Sequence, residues 1–222
     1  MYKSLAREIL KTAFAMTRSF TGEPSKEETE TIQHSRRVAR MAERLLPHFA
    51  ALDTRFYRTE HVSRAAAAMY LHDIGKALPL VLDPSMLSRR PKRPDGPRWK
   101  YEHPGFGRLM LPYTLYHLGK KLSPGFREDA EKVIFEHHEQ YSGKGYPQKL
   151  SGEQISLIAR VTAPLDYLDA RITRIWHNGT EPKEPLSVDK ALEEIDRRSG
   201  TQFDPKVVNM LLRYFTQSNP GT

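Results

Sequence analysis

Apolar residues recur along most of this chain at intervals of three and four, the spacing that keeps side chains on one face of an α-helix. From Lys3 to Phe20 the positions Leu5, Ile9, Leu10, Ala13, Met16 and Thr17 form one stripe, which predicts an amphipathic packing helix. Thr21-Gly22-Glu23-Pro24 breaks it, and Ser25 followed by Glu28 is a capping box that predicts a second helix to about Leu46. A third helix is expected from Glu60 to Ile74, with Gly75 as its stop signal. From Asp83 to His103 periodicity disappears, and Pro84, Pro91, Pro94 and Pro97 predict a long loop. His103-Pro104-Gly105-Phe106-Gly107 opens the next helix, through Leu109, Leu111, Leu115 and Leu118 to Gly119. Ser123-Pro124 starts another that ends at His137-His138, and Tyr141 to Pro147 is a Gly-rich turn. A helix is predicted from Gln154 to about Trp176, with Ile155, Ile158, Ala159, Thr162, Leu165 and Leu168 inward. Two more are expected over Ser187 to Arg198 and Asp204 to Gln217, the last with Asp204 as N-cap and Pro205 in the first turn. There is no repeat, heptad seam or strand series, so the expected class is all-α, with bundle-type connections.

Composition narrows the chemistry. At 222 residues the chain fits one domain with a real core. It has no cysteine, which excludes disulfides, thiol nucleophiles and Cys-ligated metals and leaves His, Asp and Glu as the strong ligands. No apolar run reaches the roughly 18 residues needed to span a bilayer, and no secretory signal is evident, so a cytoplasmic location is expected. Lys and Arg outnumber Asp and Glu by 35 to 27, a surplus of +8 that biases the surface towards anions. Five of those charges sit between Arg89 and Lys100, which reads either as a solvated basic loop or as a phosphate-gripping lid, with Trp99 and Tyr101 suited to stacked bases.

The polar exceptions to the apolar pattern carry the candidate chemistry. His72-Asp73 closes the apolar run from Ala65 to Leu71, with Lys76 three residues on. Charge brought to a core edge must pair, neutralise or bind metal. One reading is a helix end at which Asp73 pairs with Lys76 and His72 merely caps; the other is a metal site, in which Asp73 suits a bridge between two ions. His34 points the same way as Val38, Met41 and Leu45, with Glu30 one turn before it on the same face, and reads either as a core histidine or as a ligand. The adjacent His137-His138 at a helix end repeats the geometry of His72-Asp73 and reads as metal ligands. Asp166 lies beside an apolar stripe, where Arg160, Arg171 or Arg174 is an alternative partner.

Taken in order, His34, His72-Asp73, His103, His137-His138 and Asp166 use five of the nine histidines. The set resembles the HD superfamily of metal-dependent phosphohydrolases. It is more similar still to the HD-GYP branch, through His72-Asp73-Ile74-Gly75-Lys76, His103-Pro104 with Gly107, and His137-His138-Glu139 leading to Gly145-Tyr146-Pro147. Ala159-Arg160-Val161, Asp166, Asp169-Ala170 and Phe203-Asp204-Pro205 fall in step. Two segments depart: the basic Pro-rich stretch replaces a short Leu-Thr-x-x-Glu element, and Arg174-Ile175-Trp176-His177 stands where an Arg-Pro-Tyr-Arg run is usual. The resemblance implies a single helical bundle of HD-domain type over residues 25–218, with residues 1–24 as an N-terminal helical extension and a metal centre in the core. It makes His34, His72, Asp73, His103, His137, His138 and Asp166 the ligands, Asp73 bridging, with Glu30 positioned for a third ion. Two or three divalent transition metals, iron or manganese foremost, would be bound. The activity implied is hydrolysis of a cyclic dinucleotide, cyclic di-GMP foremost, by a metal-bridging hydroxide, with Asp73 and Lys76 catalytic. Lys76, Lys144, Arg171 and Arg174 are the candidate substrate contacts. The alternatives are an HD phosphohydrolase for another nucleotide and an inactive cyclic-dinucleotide sensor. A protein partner at the Gly145-Tyr146-Pro147 loop and a homodimer are further expectations; nucleic acid is not an expected partner.

Overall fold

Helical period and capping residues account for most of the architecture. The computed structural model of the chain describes residues 1–18, 26–80, 99–173 and 184–218. Among these it has eight α-helices and no strand: α1 (Tyr2–Arg18), α2 (Lys26–Leu45), α3 (Thr59–Met69), α4 (Trp99–His117), α5 (Pro124–Glu136), α6 (Leu157–Ile172), α7 (Val188–Arg197) and α8 (Pro205–Ser218). Short 3₁₀ turns lie at Leu46–Phe49, Thr54–Tyr57, Ile74–Leu80 and Gly152–Gln154. No described helix is long and apolar enough to cross a membrane.

The helices share one core. α3, with its Ala65 to Ala68 run almost without exposure, lies between α1, α2 and α5, and the small side chains let those neighbours approach closely. α2 packs on α6, α6 on α7, and α4 on α5 and the Ile74–Leu80 turn. α1 belongs to this core: Ala6, Ile9, Leu10, Ala13 and Phe14 are fully buried against it. The predicted stripe on α1 therefore held Ile9, Leu10 and Ala13 as buried and Leu5 and Met16 as packed against the core, but missed Ala6 and Phe14.

Several ends are where local signals put them. Ser123 with Pro124 starts α5 and Ser187 starts α7. Asp204 caps α8, its Oδ1 accepting the Lys206 N–H at 2.8 Å. Four expectations need correction. α3 stops at Met69, so Leu71 to Asp73 are buried in a turn and Ile74 opens a separate 3₁₀ turn. Gly75 is consequently no helix stop: a Cβ there would lie 1.9 Å from the His103 carbonyl oxygen, so its role is close passage of the chain against α4. α6 begins at Leu157, because Gln154 is used up in a separate capping box with Ser151 around the preceding turn. The stretch from Asp83 to His103 lies largely outside the described residues, but at Trp99 the chain is already helical, a turn earlier than the Pro104 signal suggested. Pro104 and Pro112 are interior to α4, each lacking the N–H that would complete the ladder.

Candidate metal centre

Five elements deliver the polar side chains to one point. α2 contributes His34 from its middle, α4 contributes His103, and α6 contributes Asp166. The turn that follows α3 contributes His72 and Asp73, and the end of α5 contributes His137 and His138. Consecutive residues can converge in this way only off a helix, where the 100° step no longer separates them. That is why both pairs sit past a helix end. His34, His72, Asp73, His103 and His137 are all buried to within 4% exposure, although Asp is mostly a surface residue and His is intermediate.

The ligand atoms form two triads. His34, His72 and Asp166 bring their atoms within 4.8 Å of one another, and so do His103, His137 and His138. Asp73 stands between them. Its Oδ2 is 3.2 Å from His72 Nε2 and 3.9 Å from His34 Nε2, while its Oδ1 is 3.3 Å from His103 Nε2 and 3.9 Å from His137 Nε2. One carboxylate thus presents one oxygen to each triad.

The donor set fits cations. Within the triads, Nε2 atoms approach at 3.2 Å (His34 and His72), 3.3 Å (His103 and His137) and 3.2 Å (His103 and His138). Ligands about 2.1 Å from one ion stand roughly 3.0 Å apart along an octahedral edge and about 3.4 Å along a tetrahedral one, which brackets these spacings. His72 Nδ1 donates to the Met69 carbonyl at 2.8 Å and His137 Nδ1 to the Val133 carbonyl at 2.8 Å. A carbonyl only accepts, so Nδ1 of each ring carries a hydrogen and Nε2 is the nitrogen turned inward. Burial, then the neighbouring His72 and His103, push the His137 imidazole down to about 3, and burial with His137 lowers His138 well below its usual value. Both rings are therefore neutral ligands at physiological pH. Burial works against the Asp73 and Asp166 carboxylates, yet Lys76 and His72 hold Asp73, and His34 holds Asp166, well below the ordinary range.

The other predicted site residues fall into three groups. Lys76 Nζ donates to Asp73 Oδ2 at 2.5 Å, so the pairing that was one reading of this motif coexists with the ligand geometry. Glu30 is half-buried one turn before His34, and it is not among the groups whose ligand atoms converge. Lys144 is exposed on the turn after Glu139, whereas Arg171 is engaged with Glu194 of α7 at 2.8 and 3.1 Å, which removes it as a partner for Asp166. Arg160 is likewise taken, by Asp204 at 2.5 Å. Asp166 accepts instead from His34 Nε2 at 2.8 Å. Arg174 lies outside the described residues.

Sequence reasoning missed the support around the ligands. Asp169 Oδ2 is 2.7 Å from His34 Nδ1, and Arg37 grips the same carboxylate at 2.8 and 2.9 Å. A signal was present: Asp166 and Asp169 on α6, and His34 and Arg37 on α2, are both spaced by three, so each pair shares a face. The ring of Tyr146 stacks on His138 with centroids 4.8 Å apart and meets Tyr101 edge-on at 5.0 Å. Buried Glu139 accepts from the Gln148 and Leu150 N–H groups at 2.6 and 3.1 Å, folding the Gly-rich turn back towards the end of α5. Gly145 permits that approach, because a Cβ there would lie 2.2 Å from the Gln140 nitrogen.

Comparison with known proteins agrees with this geometry. Residues 31–171 match the HD domain family. The chain is 27% identical over 190 residues to the 3'3'-cGAMP-specific phosphodiesterase 2 of Vibrio cholerae, covering 85% of this chain and 32% of that protein. It is 36% identical over 144 residues to a cyclic di-GMP phosphodiesterase of the same organism, covering 64% and 27%. It is 33% identical over 157 residues to the cyclic di-GMP phosphodiesterase response regulator RpfG of Xanthomonas campestris, covering 69% and 37%. The chain spans about a third of the length of these relatives. With its two triads joined through Asp73 and its Gly145-Tyr146-Pro147 tripeptide in place, the chain belongs to the HD domain family and is HD-GYP-like.

Proposed function

We propose that this domain is a metal-dependent phosphodiesterase that hydrolyses a cyclic dinucleotide, cyclic di-GMP foremost, to linear dinucleotide, GMP or both. The observation that carries the reading is the Asp73 carboxylate set between two triads of ligand atoms. The printed activities of the relatives, on cyclic di-GMP and 3'3'-cGAMP, support the substrate class. His34, His72, Asp166 and Asp73 Oδ2 would hold one cation, and His103, His137, His138 and Asp73 Oδ1 a second. A mixed imidazole and carboxylate set suits iron or manganese better than magnesium. When bound, such a pair supplies an activated water oxygen near neutral pH and positive charge for the phosphoryl oxygens.

The chain's own residues do the rest. The hydrogen bonds on Nδ1 of His72 and His137 keep Nε2 inward, so the ligand geometry is set before substrate arrives. Lys76 is anchored on Asp73 with its side chain 20% exposed, which leaves its ammonium at the rim, placed to offset charge that develops on the phosphodiester. Lys144 and Arg174 are assigned to the more distant phosphate. Arg171, held by Glu194, acts by tying α6 to α7. Glu30 is assigned to a third cation beside His34. A protein partner, or a second copy of the chain, would meet the exposed rim of the Gly-rich turn at Pro147 to Lys149.

The test is to load the protein anaerobically with Fe²⁺ or Mn²⁺, count metals per chain by elemental analysis, and assay cyclic di-GMP and 3'3'-cGAMP. Two or three metals and hydrolysis of at least one substrate are expected, with Asp73→Asn losing both metals together. Binding of either dinucleotide without turnover by the metal-loaded protein would refute the enzyme in favour of a sensor.

A further inference from the structure

We infer that Asp169, clamped by Arg37, is the positioning residue for the His34 half of the centre, fixing the ring so that Nε2 alone faces a cation. The inference rests on the metal-binding reading above and names a part of the chain which that reading does not use.

The argument starts from a problem specific to His34. His72 and His137 sit at helix ends, where the Met69 and Val133 carbonyls accept their Nδ1–H groups. His34 lies in the middle of α2 and turns its Nδ1 away from its own helix, towards α6. There a side chain of another element supplies the acceptor. Asp169 does so from α6: it is 1% exposed, its Oδ2 is 2.7 Å from His34 Nδ1, and a carboxylate can only accept, so Nδ1 carries the hydrogen. Arg37 fixes the acceptor itself, with Nε 2.8 Å from Oδ1 and Nη2 2.9 Å from Oδ2. Both oxygens are thereby held in one orientation. The same two helices carry the ligand pair one turn earlier, His34 Nε2 and Asp166 Oδ1 at 2.8 Å, so the ring is gripped at both nitrogens by residues spaced i and i+3. A carboxylate behind a ligating imidazole orients it and makes it a stronger donor, and losing such a partner typically weakens metal binding by about 10- to 100-fold.

The experiment is calorimetric titration of Mn²⁺ into chelator-stripped protein, with elemental analysis of the product. Wild type should show a separate binding step for each half of the centre. Asp169→Asn should weaken one of them by about 10- to 100-fold and leave the other nearly unchanged. Arg37→Gln, which keeps the carboxylate but frees it to turn, should weaken the same step by less. His138→Ala should abolish the other step. Glu194→Gln separates positioning from mere structure: it breaks a comparable ion pair on the same helix and should leave both steps intact. Wild-type affinity at both steps in Asp169→Asn overturns the inference while leaving the metal centre standing. If Asp169→Asn does not fold, unchanged steps in Arg37→Gln overturn it. Absence of Mn²⁺ binding by wild type overturns the metal reading itself.

Discussion

Gly75→Ala tests whether the centre depends on a backbone crossing. A Cβ on Gly75 would stand 1.9 Å from the His103 carbonyl oxygen and 2.5 Å from the Gly107 nitrogen, where ordinary contact begins near 3.4 Å. Both neighbours are backbone atoms of α4, so no side-chain rotation relieves the clash; the turn and α4 must separate by roughly 1 to 1.5 Å. Overpacking of this kind costs about 1–3 kcal/mol, against which a Gly-to-Ala change returns only about 0.4–1 kcal/mol through the unfolded chain. At about 2–4 °C per kcal/mol for a protein of this size, the net loss lowers the melting temperature by up to roughly 10 °C. The displaced helix carries His103, whose Nε2 is 3.3 Å from both Asp73 Oδ1 and His137 Nε2. Metal ligands tolerate only about 0.2 Å of error, so the His103, His137 and His138 half should lose its cation even where the fold survives. Gly105→Ala is the control: it lies two residues beyond His103, with nothing within 4 Å of its Cβ, and should melt at or above the wild-type temperature. Thermal melts followed by elemental analysis decide the matter. A Gly75→Ala protein with wild-type melting and full metal content would refute the reasoning.

Two further outcomes follow from the same geometry. In chelator-stripped protein, burial pulls the His34 imidazole down, but hydrogen bonds to Asp166 and Asp169 prevail and raise it to about 9. The folded value lies above the unfolded one near 6.5, so this stabilisation is complete below about pH 6.5 and lost as pH rises through 9; stripped wild type should lose melting temperature across that window and His34→Gln should not, with parallel curves refuting the assignment. Tyr146→Leu should remove the ring stacked on His138, an interaction of about 0.5–1.5 kcal/mol, and weaken the second half by about 2- to 10-fold, whereas Tyr146→Phe keeps the ring and should bind as wild type. Equal losses in the two variants, measured by Mn²⁺ titration, would show that the ring is not what matters.

How much of this was legible in the chain depended on the range of the interaction. Helix existence and most caps were legible, because Ser123-Pro124, Ser187 and Asp204-Pro205 act within one turn. The two triads and Asp73 bring together seven of the eight residues named as ligands, Glu30 being the exception, since HD-type ligands sit in motifs that are themselves local. What failed was long-range. Gly75 read as a stop because glycine usually is one, and only the distant backbone of His103 reveals its use. The leucines along α4 did not by themselves show which side is buried: that face follows Met110, Leu111, Thr114 and Leu115, while Leu109 is 62% exposed. Asp169 was visible as a neighbour of Asp166, yet nothing local connects it to Arg37, 132 positions away.

The placement of the centre at helix ends also explains how a cluster of imidazoles and carboxylates is tolerated inside an α-helical core. A helix leaves its last carbonyls without ladder partners, and its C-terminus carries about half a negative charge. α3 and α5 both end at the centre, so two such termini face the same point. At each, the ligand imidazole closes the end: His72 returns its Nδ1–H to Met69, three residues back, and His137 to Val133, four residues back. Each carbonyl also accepts the backbone N–H of the same histidine, so backbone and ring close on one oxygen at each helix end and the ring bond aims Nε2 inward. The two termini add negative potential where Asp73 and Asp166 already lie, with Lys76 paired to the first and His34 to the second. Carboxylates and helix C-termini converging on one point favour divalent cations there.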